Sequence, residues 1–380
     1  MTQETIQTFE LWHVRVPFKT TMRSSRGSLD VGEKVILRLT TASGCTGLGE
    51  SSVIFPSRSG ESAATMFVAL RDVFCPRVMG LNPLHTHRIL DSLEAVTSEQ
   101  YAFLATKCAI DLALHDLKAR LLGVSVADLL GGAARTRLPL SRSISVMADA
   151  ALVEAAVHLA NQGYRLLTLK GTPDWQANIV TYQRVRDALP SHVGLEIDPN
   201  QSWSPKAAIA VDSALAHQAL VCIEQPCAWW DLEGLRLVTQ RTLASIAADE
   251  AVLSQADAMR VIRMEAADTI TIKLAKSGGI RASAAIVETV RAAGLTCNMG
   301  SKHPLGVGSA ALLHFAAAYP DVGEFIGYGS ARERFVDDVI CEDIVIQGGE
   351  AHLPHGTGFG VSLNTDALQR LSIATYSSMQ

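Results

Sequence analysis

The chain has 380 residues, 48% of them hydrophobic and 19% charged, with a formal net charge of −5. That length exceeds one ordinary domain and suits a barrel of about 250 residues with a smaller partner. The mild negative charge gives no reason to expect nucleic acid or an anionic membrane as a partner, which leaves small molecules.

The amino-terminal stretch MTQETIQTFELWHVRV lacks the basic start and apolar core of a signal peptide. No apolar run approaches the roughly 18 residues that span a bilayer. Seven cysteines, odd in number and without a CxxC pair, predict reduced thiols. A cytoplasmic enzyme is expected.

Residues 5–54 alternate as strands do, with FELWHVRVPF and VGEKVILRLTT on either side of the polar loop KTTMRSSRGSLD, then the glycine-rich SGCTGLGE. This predicts an antiparallel meander. From 62 to 130 the pattern is helical. Within 101–123, Ile110, Leu114, Leu117 and Leu121 share one face, and Gly123 stands where a helix would stop. Strands followed by helices predict an α+β domain over 1–133. The boundary falls in LLGGAARTRLP, and a strand–loop–helix repeat then fills 134–335. Strands are expected near 138–146, 165–170, 193–198, 219–224, 245–249, 268–273, 294–299 and 322–327. The tail, 336–380, carries further strand-like pieces in DDVICEDIVIQGGEAHL and is expected to return to the first domain.

Five of the predicted strands end in an ionisable residue: Lys170, Asp198, Glu224, Asp249 and Lys273, at intervals of 28, 26, 25 and 24 residues. A repeat of about this length is the βαβ signature, and active sites on such sheets lie outside the carboxyl ends of the strands. In a closed barrel the five converge on one mouth, three carboxylates between two lysines. Each carboxylate alone reads as a strand-end or cap residue. Three together repel unless a cation neutralises them, and an all-oxygen set favours Mg²⁺ over zinc, with Mn²⁺ as a substitute. Asn200, Gln201 and Glu250 read as supports of that set or as solvated loop polarity.

Lys170 and Lys273 close apolar strands, an uncommon place for a charged lysine. A divalent cation nearby would lower a lysine from about 10.4 toward the 7–8 useful to a base. The bland alternative is a salt bridge to a metal-site carboxylate. Lys276, one turn on, reads as structural. Lys302 and His303 follow the seventh strand and face either substrate or solvent.

At these residues the chain resembles the enolase superfamily, within it the mandelate racemase/muconate lactonizing enzyme family, and there the muconate lactonizing enzyme-like subgroup. The resemblance runs through AIDLALHDLKARLLG, LLGG, GYRLLTLK, EIDPNQSW, IEQP, ADE, IKLAKSGGI and LLHFAAA. It implies an α/β fold, a modified TIM barrel (β/α)₇β with an α+β capping domain. It also implies a homo-oligomeric isomerase, with Mg²⁺ on Asp198, Glu224 and Asp249 and removal of the proton alpha to a carboxylate. Lysines on both the second and sixth strands are similar to the muconate lactonizing subgroup.

The chain departs from that pattern in three places. Thr168 stands where the second strand usually carries the first lysine of Lys-x-Lys. The seventh strand ends in Asn298-Met299-Gly300-Ser301, without the glutamate often found there. The eighth carries Gly323-Glu324-Phe325 in place of the Asp-x-Asp of dipeptide epimerases, which disfavours dipeptides and leaves Glu324 as a candidate partner for the substrate carboxylate.

The expected outcome is racemisation, epimerisation or cycloisomerisation of a small carboxylic acid or amino-acid derivative, with syn-dehydration of a hydroxy acid as the alternative. A Schiff-base aldolase leaves the carboxylates unexplained. A barrel that has lost catalysis would bind metal without exchanging a substrate proton. Substrate choice is expected to rest on capping loops at 18–27 and 54–60, where Lys19, Arg23, Arg26 and Arg58 read as contacts to an anionic or polar distal group, or as solvated charge.

Overall fold

The computed structural model describes residues 4–55, 59–97 and 102–379; Arg58 lies outside them. Strands β1 (Ile6–Ser24), β2 (Gly27–Thr41) and β3 (Thr46–Ser52) form the expected antiparallel meander. One face of this sheet packs on the helix Leu104–Leu122, where the absence of side chains at Gly47 and Gly49 lets β3 lie against the helix backbone. Gly123 ends that helix in the left-handed conformation (φ 70°), which glycine adopts without steric cost.

The helix was expected to bury a single apolar face. Instead Lys107, Asp111, His115 and Asp116 are buried along with the leucines. Lys107 pairs with Glu94 at 2.6 Å, while Asp111 and Asp116 serve a second interface. Asp111 accepts the backbone N–H of Ile280, at the start of a barrel helix, at 2.6 Å. Asp116 accepts those of Leu48 at 2.8 Å and Phe359 at 2.6 Å. These carboxylates meet backbone donors that would otherwise be buried unpaired, so the helix joins the two domains.

Eight parallel strands make the barrel: β4 (Arg137–Ile144), β5 (Leu166–Lys170), β6 (Gly194–Asp198), β7 (Leu220–Glu224), β8 (Ser245–Ala248), β9 (Thr269–Ile272), β10 (Thr296–Met299) and β11 (Ile326–Gly327). The ring closes where Ile326 pairs with Leu140 and Gly327 with Ser141. Strand alternation decides what faces where. Leu167, Leu169, Leu195, Ile197, Ile223, Ile246, Ile270 and Ile272 are buried against the outer helices, and each contributes about 1.5–3 kcal/mol by its burial. The alternate positions point inward, and many are polar or small rather than the bulky branched residues that commonly fill such barrels.

The eighth strand begins four residues later than the expected 322. The tail also divides. β12 (Ile346–Gln347) and β13 (Glu350–His352) form a hairpin whose second strand pairs antiparallel with Arg137–Pro139 at the start of β4, so this part of 336–380 belongs to the barrel. Its last strand, β14 (Ser372–Ser377), returns to the capping sheet beside β1, and the Val336 backbone N–H donates to Pro17 of β1. Among the described residues no helix is long and apolar enough to cross a membrane.

Candidate active site

A cavity of about 310 Å³ opens at the carboxyl ends of the barrel strands, roofed by Met22, Ser24, Arg26, Ile54 and Phe55 of the capping domain. Lys170, Asp198 and Glu224 are the last residues of their strands, and Asp249 and Lys273 follow theirs directly. Parallel register places Lys170 beside Asp198, and their side chains form an ion pair. On the other side, Lys273 Nζ donates to Asp249 Oδ2 at 2.5 Å and lies 3.7 Å from Glu224 Oε1. Gly300 makes room for this lysine, since a Cβ there would stand 2.6 Å from Lys273 Cε.

Burial and then the charge of Asp198 push Glu224 up to about 7, with Asp249 adding to the shift and Lys273 opposing it. Burial alone would lower Lys273, yet Asp249 and Glu224 outweigh it and hold the ammonium well above its ordinary value. Lys170 behaves likewise: burial lowers it, Asp198 and Glu224 raise it, and the net shift is upward.

Lys276 has a settled structural task. Its buried ammonium donates to Asp249 Oδ1 at 2.8 Å, Asp249 O at 2.7 Å and Thr271 O at 2.6 Å. Gln225 Oε1 accepts the backbone N–H groups of Asp249 and Ala251 at 2.9 and 3.1 Å. Asn200 donates its backbone N–H to Asp198 Oδ1 at 2.8 Å and its amide to Oδ2 at 3.0 Å, from a left-handed conformation (φ 47°) that asparagine tolerates better than most residues. Glu250 pairs with Arg26.

Ser301, Thr168, Asn200 and Glu250 line the cavity, but two predicted substrate contacts need correction. Arg23 lies between Met22 and Ser24, which face the cavity; strand alternation turns its side chain away, and it is exposed. Glu324 also reaches the cavity, but from its floor: it precedes the late-starting β11 at the amino-terminal end of the barrel and faces Arg165 at 3.4 Å, away from the lysines at the mouth. The mouth end of the eighth strand is Gly327-Tyr328-Gly329, which carries no acid.

Sequence reasoning missed two half-buried groups. Glu196, one inward position below Asp198, accepts the Thr168 hydroxyl at 2.8 Å and is pushed up to about 7 chiefly by burial. A charged residue two before Asp198 on the same strand face was a readable signal. Arg334, in the short helix Ala331–Arg334 after the last barrel strand, also lines the cavity. Its ARER setting reads as a solvated turn.

Two family models match: mandelate racemase/muconate lactonizing enzyme, N-terminal domain, over 3–131, and enolase C-terminal domain-like over 151–367. Muconate cycloisomerase 1 of Rhodococcus opacus is 30% identical over 97% of this chain and 99% of its own length. The chain belongs to the mandelate racemase/muconate lactonizing enzyme family. It is an isomerase of the enolase superfamily. L-Ala-D/L-Glu epimerase of Bacillus subtilis is 30% identical over 91% of this chain and 92% of its own. A solved dipeptide epimerase from Cytophaga hutchinsonii, complexed with Mg and a dipeptide, superposes with a TM-score of 0.91 at 25% identity, covering 98% of this chain and 99% of that one.

Enzymes of this family are generally metal-dependent, and the donor set here fits a hard divalent cation. It is all oxygen, and the upward push on Glu224 by Asp198 and Asp249 is the like-charge cost that a cation relieves. As they stand, no three His, Cys, Asp or Glu side chains among the described residues are gathered to hold an ion. Asp198 and Asp249 are turned to Lys170 and Lys273 instead, so binding requires these ion pairs to open.

Proposed function

We propose that the protein interconverts the two configurations at the carbon alpha to a carboxylate of a small acid, Lys170 and Lys273 each serving one face. The observation that carries this reading is the pair of ammonium groups on opposite sides of the Asp198, Glu224 and Asp249 arc, both lining one cavity. Asp198, Glu224 and Asp249 would hold Mg²⁺, which would supply positive charge for the substrate carboxylate and for the negative charge that develops as the α-proton leaves. Were Asp198 and Asp249 drawn off Lys170 and Lys273, the lysines would lose the anions that keep them protonated, and one of the two would take the α-proton. The other, still an ammonium, returns a proton from the opposite face. Asn200 and Lys276 fix the Asp198 and Asp249 carboxylates through hydrogen bonds, and the capping residues exclude water.

The name of the Rhodococcus opacus relative supports a second reading, cycloisomerisation, in which one lysine moves the proton. Dehydration of a hydroxy acid would likewise need only one base. Exchange in D₂O separates these outcomes. The parent enzyme should exchange the α-hydrogen of its substrate. In the two-base case Lys273→Ala loses interconversion yet still exchanges one enantiomer through Lys170, and Lys170→Ala does the converse. Full turnover by Lys170→Ala on every accepted acid would leave Lys273 as the sole base.

A further inference from the structure

Past the seventh and eighth strands, residues 301–303 and the helix Ala331–Arg334 bring three donors to the cavity that lack hydrogen-bond acceptors among the described residues, with Lys302 within electrostatic reach of Asp249 and Glu250. Arg334 has no carboxylate within salt-bridge distance among the described residues, and its Nε is buried without a hydrogen bond. The adjacent acid, Glu333, is committed to Arg142 at 2.6 Å and to the Ser330 backbone N–H at 3.1 Å. Among the described residues Arg334 has one hydrogen-bond partner, His303, whose Nε2 lies 3.2 Å from Nη1.

A guanidinium can only donate, so Nε2 accepts and the imidazole carries its proton on Nδ1. That Nδ1 is also buried without a partner. Lys302 Nζ, on the preceding residue, makes no hydrogen bond or ion pair among the described residues, and all three side chains line the cavity.

The fold holds these groups in place. Phe335 stacks on Phe18 of β1 with ring centroids 4.4 Å apart, and the edge of His303 meets the same phenylalanine. Gly329 makes room for Arg334, whose Nε would stand 2.9 Å from a Cβ there. His303 is kept at φ 49°, a left-handed conformation that histidine, like asparagine, adopts more readily than most residues. The carbonyl of Lys302 accepts Ser52 Oγ at 3.0 Å. Burial and the neighbouring Arg142 push Arg334 down to about 9, which agrees with a cation that has no anion beside it. Donors left buried and unpaired are costly, and a ligand that accepts from all of them removes the cost.

We propose that Arg334, His303 and Lys302 form a subsite for a second carboxylate, so that the substrate is a dianion with one carboxylate at the lysine end and the other here. The proposal rests on the reading above for the place of the first carboxylate. A planar guanidinium suits a carboxylate because it can donate two parallel hydrogen bonds.

The test is calorimetric binding of unbranched α,ω-diacids of four to eight carbons, each against its mono-amide, to the Mg²⁺-loaded protein. At least one diacid should bind about tenfold or more tightly than its mono-amide, the scale of one charge-assisted hydrogen bond. Arg334→Gln should bring that ratio close to one with mono-amide affinity unchanged, and Arg334→Lys should restore part of it. A ratio of one in the parent throughout, a preference that survives Arg334→Gln, or no diacid binding overturns the proposal. So does inorganic phosphate binding through Arg334 when no diacid shows a preference.

Thermal melting guards against a merely structural role. Arg334→Gln should melt at or above the parent temperature because an unpaired buried charge is gone, and a melt several degrees lower makes Arg334 a strut. The two readings fail separately. Loss of the diacid preference with α-hydrogen exchange intact removes the subsite alone, whereas an Arg334-dependent preference without exchange of any acid leaves the subsite and removes the two-base mechanism.

Discussion

The carboxylate arc from β5 to β9 and the loop arc of residues 301–303 with Arg334 line the same cavity, but they handle buried charge in opposite ways. Along the first, each cation meets an anion: Lys170 with Asp198, Lys273 and Lys276 with Asp249, Arg26 with Glu250. Along the second, donors stand without acceptors. A paired arc is stable but must open to work, since its lysines are held protonated by the groups they would leave. An unpaired arc carries a standing cost that only a ligand relieves. The contrast assigns chemistry to the first and recognition to the second.

The largest effect should come from breaking the paired arc. Glu224→Gln removes one anion from the three and is expected to lower turnover roughly a hundredfold or more, with a parallel loss of Mg²⁺ affinity measured by calorimetry. Full activity after exhaustive chelation would show that the carboxylates serve no metal.

The loop arc depends on the capping domain, and Glu50 is the link. Its carboxylate accepts the backbone N–H groups of Leu305 and Gly308 at 2.8 Å each, just beyond His303, while Lys34 reaches the carbonyl of Val53 at 3.2 Å. Burial pushes Glu50 up to about 7 from 4.5. The folded state therefore binds this proton more tightly than the unfolded state, and stability should fall as pH rises from about 4.5 to 7. The shift corresponds to about 3 kcal/mol. Glu50→Gln should flatten that part of the profile in urea unfolding and also lower stability at pH 5 by about 1–3 kcal/mol, because an amide cannot accept both N–H groups. An unchanged slope would mean that the group does not titrate there.

The roof offers a smaller contrast. Arg26, in the turn between β1 and β2, reaches Glu250 and lines the cavity, whereas Arg23 of β1 does not line it. Arg26→Ala should raise KM about three- to tenfold with little change in kcat, as a uniform binding contact does, and Arg23→Ala should leave both within twofold. Equal effects from the two would put the loop in a different register.

The paired arc was legible in the sequence because it follows from a period. Strand, loop and helix repeat at nearly constant length, and every site residue from Lys170 to Lys273 falls at a strand end, where one or two residues of uncertainty matter little. Glu324 shows where that logic stops. β11 has only two residues, Gly323 turns the chain at φ 84° just before it, and a shift of four residues carried the acid from the mouth to the floor. The loop arc had no period to betray it. Arg334 acquires meaning only when Phe335 docks on Phe18, more than 300 residues away in the chain, and Glu333, its equal in sequence, is taken up by Arg142.

The smallest effect concerns Thr168, where the resemblance led us to expect a lysine. Restoring it ought to lower the proton affinity of Lys170, since both side chains point inward from β5. The structure changes that expectation. Thr168 donates to Glu196 at 2.8 Å, so a new ammonium would meet a half-buried carboxylate first, and the pair would present little net charge to Lys170. Thr168→Lys alone should therefore move the apparent pKa of exchange by Lys170, measured in D₂O in a Lys273→Ala background, by less than about half a unit. Thr168→Lys combined with Glu196→Gln leaves the ammonium uncompensated and should lower that pKa by roughly one to two units, the range of a close like charge. Equal shifts in the single and combined variants would show that Glu196 does not neutralise its neighbour, and the departure at Thr168 would then act on Lys170 directly.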